Sequence, residues 1–308
     1  MEVFSKPKFV INIALSISTL FTFVILGCSP DITNDKLTTG YNLNLPDASF
    51  ILPDVLHEIS GLTNINETSV ACIQDEYGIV YIYDVVKNEI KDQFTFSIEG
   101  DYEGVARVDK TLYILRSDGA LFEISNPESK DFDLDFYDTR VPSKDNEGLC
   151  YDKDNNRLLI ACKSKVGKGD ENKDKRIIYA FDLKTKTISK EPAFDFDIKV
   201  ILQFALNNKI NLPKKKDKKD HTSEPVLKFR TSEICINPVT KKLFLLSADD
   251  HLLFIFNIKG KIEQIAKLNP EIFNQAEGLT FFENGDMLIS NEGQDKKPTL
   301  LRFNYKKN

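Results

Sequence analysis

From about residue 59 onward the chain alternates short apolar runs, rich in β-branched and aromatic residues, with clusters of Asn, Asp, Gly and Lys. A 3.6-residue helical period is nearly absent, so the pattern predicts strands. The runs come in sets, and a small motif opens each set: Ser60-Gly61-Leu62-Thr63, Glu103-Gly104-Val105-Ala106, Glu147-Gly148-Leu149-Cys150, Ser232-Glu233-Ile234-Cys235 and Glu277-Gly278-Leu279-Thr280. The motif starts lie 43, 44, 85 and 45 residues apart. A turn-rich cluster and a second apolar run follow each motif: Val70 to Ile73, Leu112 to Leu115, Leu158 to Ala161, Leu243 to Leu246 and Met287 to Ile289. A third run comes next, at Ile79 to Tyr83, Leu121 to Ile124, Ile177 to Phe181, Leu252 to Phe256 and Leu300 to Phe303, and four units add a fourth, such as Ile90 to Phe96.

Four short antiparallel strands in a fixed repeat make the blade of a β-propeller, an all-β architecture. Five blades are expected, with six the alternative, in a single domain over 41–308. The last unit has no room for a fourth strand after Tyr305, so Leu43 to Leu52 is expected to supply it and close the ring, removing its open edges. The long interval contains Ile198, Ile201, Leu202 and Ala205 at helical spacing. It predicts an insertion over about 197–230, with a helix from Asp197 to Asn208 and a loop from Lys209 to Thr222.

The N-terminus has a different character. Lys6 and Lys8 precede an apolar stretch from Phe9 to Leu26, which ends in Ile25-Leu26-Gly27-Cys28. Residues 1–27 read as an export signal. The four terminal residues resemble a bacterial lipobox, in which Cys28 is lipidated and becomes the first residue; a short transmembrane helix is the alternative. Residues 28–40 then form a tether. Both readings place the bulk of the chain outside the cytoplasm, attached to a bacterial membrane, periplasmic or at the cell surface.

Composition narrows the partners. With 41 Lys and Arg against 47 Asp and Glu, the net charge is −6. No basic face is available for a nucleic acid, since the one basic run, Lys214 to Lys219, contains an Asp and falls in the predicted loop. Beyond Cys28, Cys72, Cys150, Cys162 and Cys235 sit in apolar runs. They read as buried thiols, or as a disulfide between Cys150 and Cys162 across the hairpin that turns at Asp154-Asn155-Asn156. The absence of Trp excludes the Trp-Asp class of propeller repeat.

In a propeller the start of each inner strand and the end of each second strand meet at one mouth of the central channel. The first set here is Ser60, Glu103, Glu147, Ser232 and Glu277, with Glu58, Asp101 and Asp145 two residues earlier on three blades. The second set contains Asp75, Glu76, Arg116, Ser117, Lys163, Ser247, Asp249, Asn291 and Glu292. Carboxylates gathered around one channel repel unless they are separated, protonated, paired or bridged by a cation. Oxygen ligands suit Ca2+ or Mg2+, so Glu58, Glu103, Glu147 and Glu277 are metal candidates, and Asp75, Arg116, Lys163, Asn291 and Glu292 are candidates for contacting a ligand. Two other readings stay open: glutamates hydrogen-bonded to backbone N–H groups of neighbouring blades, and a purely organic ligand. His57 and Ser60 form a weak candidate for a nucleophile and its base.

Ile59-Ser60-Gly61-Leu62, Asp101-Tyr102-Glu103-Gly104-Val105, Asn146-Glu147-Gly148-Leu149, Ile177-Ile178-Tyr179-Ala180-Phe181-Asp182 and Ser290-Asn291-Glu292-Gly293 resemble the SdiA-regulated, YjiK/CarP-like family of exported bacterial propellers. The resemblance runs from about Tyr41 to Tyr305. It implies a β-propeller, often lipid-anchored, with links to calcium and to phytase-like or esterase-like propellers. Glu233 departs from the repeat, which would place Gly there. Two functions follow as expectations: a tethered propeller that binds a small ligand or protein partner on its channel face with Ca2+ present, or a metal-dependent hydrolase of phosphate esters or lactones in which Arg116 and Lys163 hold the anion.

Overall fold

Each motif heads the inner strand of an antiparallel sheet whose members run in chain order from the axis outward, except that the outermost strand of the last sheet comes from the N-terminal end. In the computed structural model these inner strands are Ile59–Asn66, Tyr102–Val108, Asn146–Asp152, Glu233–Ile236 and Ala276–Phe281, and the protein is a five-bladed β-propeller. The structure describes residue 1 and residues 40–129, 131–167, 172–216 and 223–307.

The sequence pattern follows position in the blade. Leu243–Ser247, a second strand, is buried at every residue, whereas the outer strands Glu89–Thr95 and Asp133–Asp138 are largely exposed. Near the axis each sheet has a neighbour on both faces, so its strands read as unbroken apolar runs; at the rim only some positions pack. The core is therefore distributed over the blade boundaries. Phe244 and Leu246 of blade 4 pack with Leu279, Phe281 and Ile289 of blade 5. Leu288 and Leu300 of blade 5 pack with Leu62 and Cys72 of blade 1.

The long interval holds an insertion and no sixth blade. Its helix, α1, spans Ile198–Asn207, and the Asp197 side chain caps it by accepting from the Lys199 N–H at 2.8 Å. Ile201 and Ala205 enter the core between blades 3 and 4 beside Phe194, Phe196 and Phe229. Two features differ from expectation. The outer strand of blade 3 is split into Thr187–Ile188 and Phe194–Asp197, both paired with Lys175–Asp182. The expected loop instead contains a small hairpin, Lys214–Lys216 against Ser223–Pro225, while residues 217–222 lie outside the described residues.

Cys72, Cys150, Cys162 and Cys235 are free thiols, as the first reading of the sequence expects, and the alternative, a disulfide between Cys150 and Cys162, is not formed. Register explains this: Cys150 stands opposite Leu159 and Cys162 opposite Asn146. The two are three ladder rows apart, roughly 10 Å at strand spacing, beyond the reach of a disulfide.

Closure uses the N-terminal end. Ala48–Ile51 pairs antiparallel with Thr299–Phe303 and completes blade 5 as its outer strand. Tyr41 fastens the same seam: its hydroxyl donates to the Gly285 carbonyl at 2.7 Å and accepts from Asn237 Nδ2 at 2.6 Å. Its ring packs against Phe244, Phe281 and Tyr305. The export signal, Cys28 and almost all of the tether lie outside the described residues. Among the described residues no helix is long and apolar enough to cross a membrane.

Tyr41→Phe keeps the ring but leaves a buried Asn237 amide and the Gly285 carbonyl short of a partner. Equilibrium urea unfolding should show a loss of about 1–3 kcal/mol; an unchanged midpoint would show that the hydroxyl does not hold the seam.

Candidate functional site

The repeat residue has a geometric role. In four inner strands the ladder skips one residue: between Ile59 and Gly61, Tyr102 and Gly104, Asn146 and Gly148, and Ala276 and Gly278. The skipped residues are Ser60, Glu103, Glu147 and Glu277. Each is the extra residue of a β-bulge, a device that takes a side chain out of the strand's alternation and re-aims it. Glu147 and Glu277, with Lys163, Ser232 and Gln275, line a cavity of about 220 Å3 at the channel mouth.

The following glycine is a matter of crowding. A Cβ at Gly104 would lie 2.8 Å from Leu149 Cβ, and one at Gly278 would lie 2.3 Å from Leu62 Cδ2, both on neighbouring inner strands. Glu233 occupies this place in blade 4. Its side chain fills the boundary with blade 3, where Oε1 accepts from the N–H groups of Leu149 and Ile234, both at 2.9 Å. Burial raises the Glu233 carboxyl well above its ordinary range. It is a buried group of the blade boundary, with Oε1 hydrogen-bonded and Oε2 without a partner.

The channel carboxyls form a closed circuit. Asp75 feels the charges of Glu58, Glu292 and Asp101; Glu277 feels Glu292; Glu147 feels Glu277; and Glu103 feels Glu147 and Asp101. Burial first, and these like charges second, push Glu103 up to about 9, Glu277 to about 7 and Asp75 to about 6. The neighbouring Asp101 carboxyl adds to the upward push on Glu103. Glu292 is raised as well, by burial and by Glu58.

One ammonium sits among them. Lys163 Nζ pairs with Glu147 Oε1. Burial opposes the lysine's charge, but Glu147, with Glu277 and Glu103 behind it, overcomes this and raises its pKa. Glu147 is 5% exposed, and its other oxygen, Oε2, has no hydrogen-bond partner. Asp75 Oδ1 is also buried without a partner. On the blade 5 and blade 1 side the circuit runs through Glu292, Glu58 and Asp75. Here His57 lies against Gly293, where a Cβ would come within 2.2 Å of the imidazole.

The structure thus brings together Glu58, Asp75, Glu103, Glu147, Lys163, Glu277 and Glu292, and separates others from them. Arg116 makes a two-pronged pair with Asp118, at 3.0 and 2.8 Å, and its guanidinium lies over Phe122. Asn291 donates to the Thr299 hydroxyl at 2.9 Å, while its buried Oδ1 has no partner. Asp249, by contrast, lines the same cavity as Glu147, Lys163 and Glu277, paired there with Lys228 and with Arg230, which lines it too. Ser60 donates to the Tyr102 carbonyl at 2.7 Å, so its hydroxyl bridges blades and is not poised on His57. Among the described residues no group of three or more His, Cys, Asp or Glu side chains, Glu58, Glu103, Glu147 and Glu277 included, is arranged to hold a metal ion. A larger cavity, about 780 Å3 and lined by Ile65, Phe94, Arg107 and Lys110, lies at the opposite end of the inner strands.

The raised carboxyls make stability depend on pH. Their folded values exceed the ordinary 3.8 and 4.5, so their contribution is full below those values and is lost as pH rises through about 6, 7, 8 and 9 in turn, for Asp75, Glu277, Glu147 and Glu103. The melting temperature should fall between about pH 5 and pH 9 at constant ionic strength. The part above about pH 7 belongs to Glu103 and to Glu147, which burial and Glu277 raise to about 8, so Glu103→Gln should make it shallower and raise the melting temperature at alkaline pH by at least about 2 °C. An identical alkaline slope in the variant would show that Glu103 is not among the groups titrating there.

No protein-family model and no curated protein sequence matches the chain. Among solved structures it is similar to the glutaminyl cyclase of Myxococcus xanthus, with 12% identity, a TM-score of 0.52, and 84% of this chain and 94% of that one covered. It is also similar to a streptogramin B lyase, with 12% identity, a TM-score of 0.46, and 83% and 97% covered. At such identities the likeness extends to the β-propeller fold alone.

Proposed function

We propose that the chain is an extracytoplasmic β-propeller lipoprotein, tethered through lipid on Cys28, that binds a cationic organic ligand at the carboxylate-lined mouth of its channel. The observation that carries this reading is the closed circuit of carboxyls around a single ammonium, with Glu147 Oε2 and Asp75 Oδ1 buried and unpartnered. Carboxyls held above their ordinary range are poised to release protons to an incoming positive charge. The arc of Asp75, Glu58 and Glu292 lies on the side of the channel away from Lys163's partner Glu147, and an amine is the chemistry that this arc would accept. Export, the lipid anchor and the likeness to SdiA-regulated, YjiK/CarP-like propellers are supported by Lys6 to Cys28 and by the repeat motifs of the sequence.

A metal-dependent hydrolase of phosphate esters or lactones has less support. Arg116 is held by Asp118 and Lys163 by Glu147, so the two cations meant to clamp an anion are already paired. Calcium is the rival cation, and one titration separates these readings.

The full-length protein is titrated at neutral pH with spermidine, with calcium, with magnesium and with inorganic phosphate, following heat and melting temperature. Spermidine should bind saturably and release protons, seen as a dependence of the heat on the buffer's ionisation enthalpy. Glu292→Gln should weaken it about tenfold, the effect of losing roughly 1.4 kcal/mol of charge pairing. A response to calcium alone would replace the amine with a metal. A response to phosphate, with turnover of phosphate esters, would establish the hydrolase.

A further inference from the structure

At the far end of the inner strands the repeat places two thiols side by side. Cys150 and Cys235 occupy the same motif position in blades 3 and 4, where the other blades carry Thr63, Ala106 and Thr280. Neighbouring inner strands bring equivalent positions together, and the Cys235 thiol lies close enough to Cys150 to raise its pKa, together with burial. The Ile236 N–H, one residue beyond Cys235, also donates to Cys150 Sγ at 3.2 Å. Cys72 and Cys162 have no such neighbour: Cys72 packs in the core between blades 5 and 1, and Cys162 lies near the Ser143 hydroxyl.

The pair is also reachable. Both cysteines line a cavity of about 190 Å3 at the lower mouth of the channel, together with Leu62, Val105 and Leu279. Cys150 is 3% exposed, while Cys235 is partly exposed and presents the first sulfur that a reagent in this cavity meets.

We propose that Cys150 and Cys235 form a redox-closable pair whose disulfide fastens blade 3 to blade 4, with a small-molecule disulfide as the oxidant. The Cys235 thiolate attacks one sulfur of the oxidant, forming a mixed disulfide and expelling one small thiolate. The Cys150 thiolate then attacks the Cys235 sulfur, and the second small thiolate leaves. Two protein thiols and one small disulfide become one protein disulfide and two small thiols, the two protons passing to the leaving groups. The bond would span the boundary at which Glu233 stands in place of the repeat's glycine. An oxidising compartment would favour it, and that part of the context rests on the export reading.

The test is made on the full-length protein, incubated natively with oxidised glutathione, trapped with N-ethylmaleimide before unfolding, digested and mapped by mass spectrometry. The expected product is a Cys150 peptide joined to a Cys235 peptide, lighter than their sum by two hydrogens. The melting temperature should rise by roughly 5–10 °C, since the bond closes a long loop, and dithiothreitol should reverse both changes. Cys235→Ser should abolish the link and make the melting temperature indifferent to oxidant, and Cys162→Ser should change neither result. Recovery of both cysteines as maleimide adducts, a stable glutathione adduct on Cys235 beside a free Cys150, or a link to Cys72 or Cys162 would each overturn the proposal.

Discussion

Five inner strands crowded around one axis set the terms for everything near the channel. Where they come closest there is no room for a Cβ, as the contacts around Gly104 and Gly278 show, and the residue just before is bulged out of its ladder. The Glu-Gly pair of the repeat is therefore one device in two parts. Glycine permits the approach of the neighbouring strand, and the bulge turns the preceding side chain toward the channel. Blade 4 solves the same problem differently, with a buried Glu233 accepting from backbone N–H groups where its neighbours make close contact. That is the hydrogen-bonded arrangement that the sequence left open for the channel glutamates, found at a different glutamate.

The electrostatics follow from the packing. Residues aimed at one axis by equivalent bulges must lie near one another, and acidic residues in that position cannot all be charged once water is thinned out. Burial and like charges raise the Glu103 and Glu147 carboxyls, and Lys163 pairs with Glu147. A carboxyl cluster of this kind stores unfavourable charge that any bound cation relieves.

Much of the architecture was legible in the sequence because it is written as spacing. The interval between motifs predicts the blades, the missing strand after Tyr305 predicts the contribution from Leu43 to Leu52, and the spacing of Ile198, Ile201, Leu202 and Ala205 predicts α1. What spacing does not encode is contact between blades. The bulges at Ser60, Glu103, Glu147 and Glu277, the partners chosen by Arg116 and Lys163, and the neighbour of Cys150 depend on register and on which strands adjoin. The hairpin at Asp154-Asn155-Asn156 suggested Cys162 for Cys150; the ring supplied Cys235. A comparison of equivalent motif positions in successive blades was the signal that would have found this pair.

The seam between Ala48–Ile51 and Thr299–Phe303 also has a meaning in time. A ring whose final sheet joins the two ends of the chain cannot be completed by any local event, because the loop to be closed spans almost the whole domain. The search for that contact is entropically slow, and until it succeeds Thr299–Phe303 presents an unsatisfied strand edge. Before that contact forms, four blades can have all their strands and the fifth cannot. During this interval the chain is most exposed to pairing with another copy of itself.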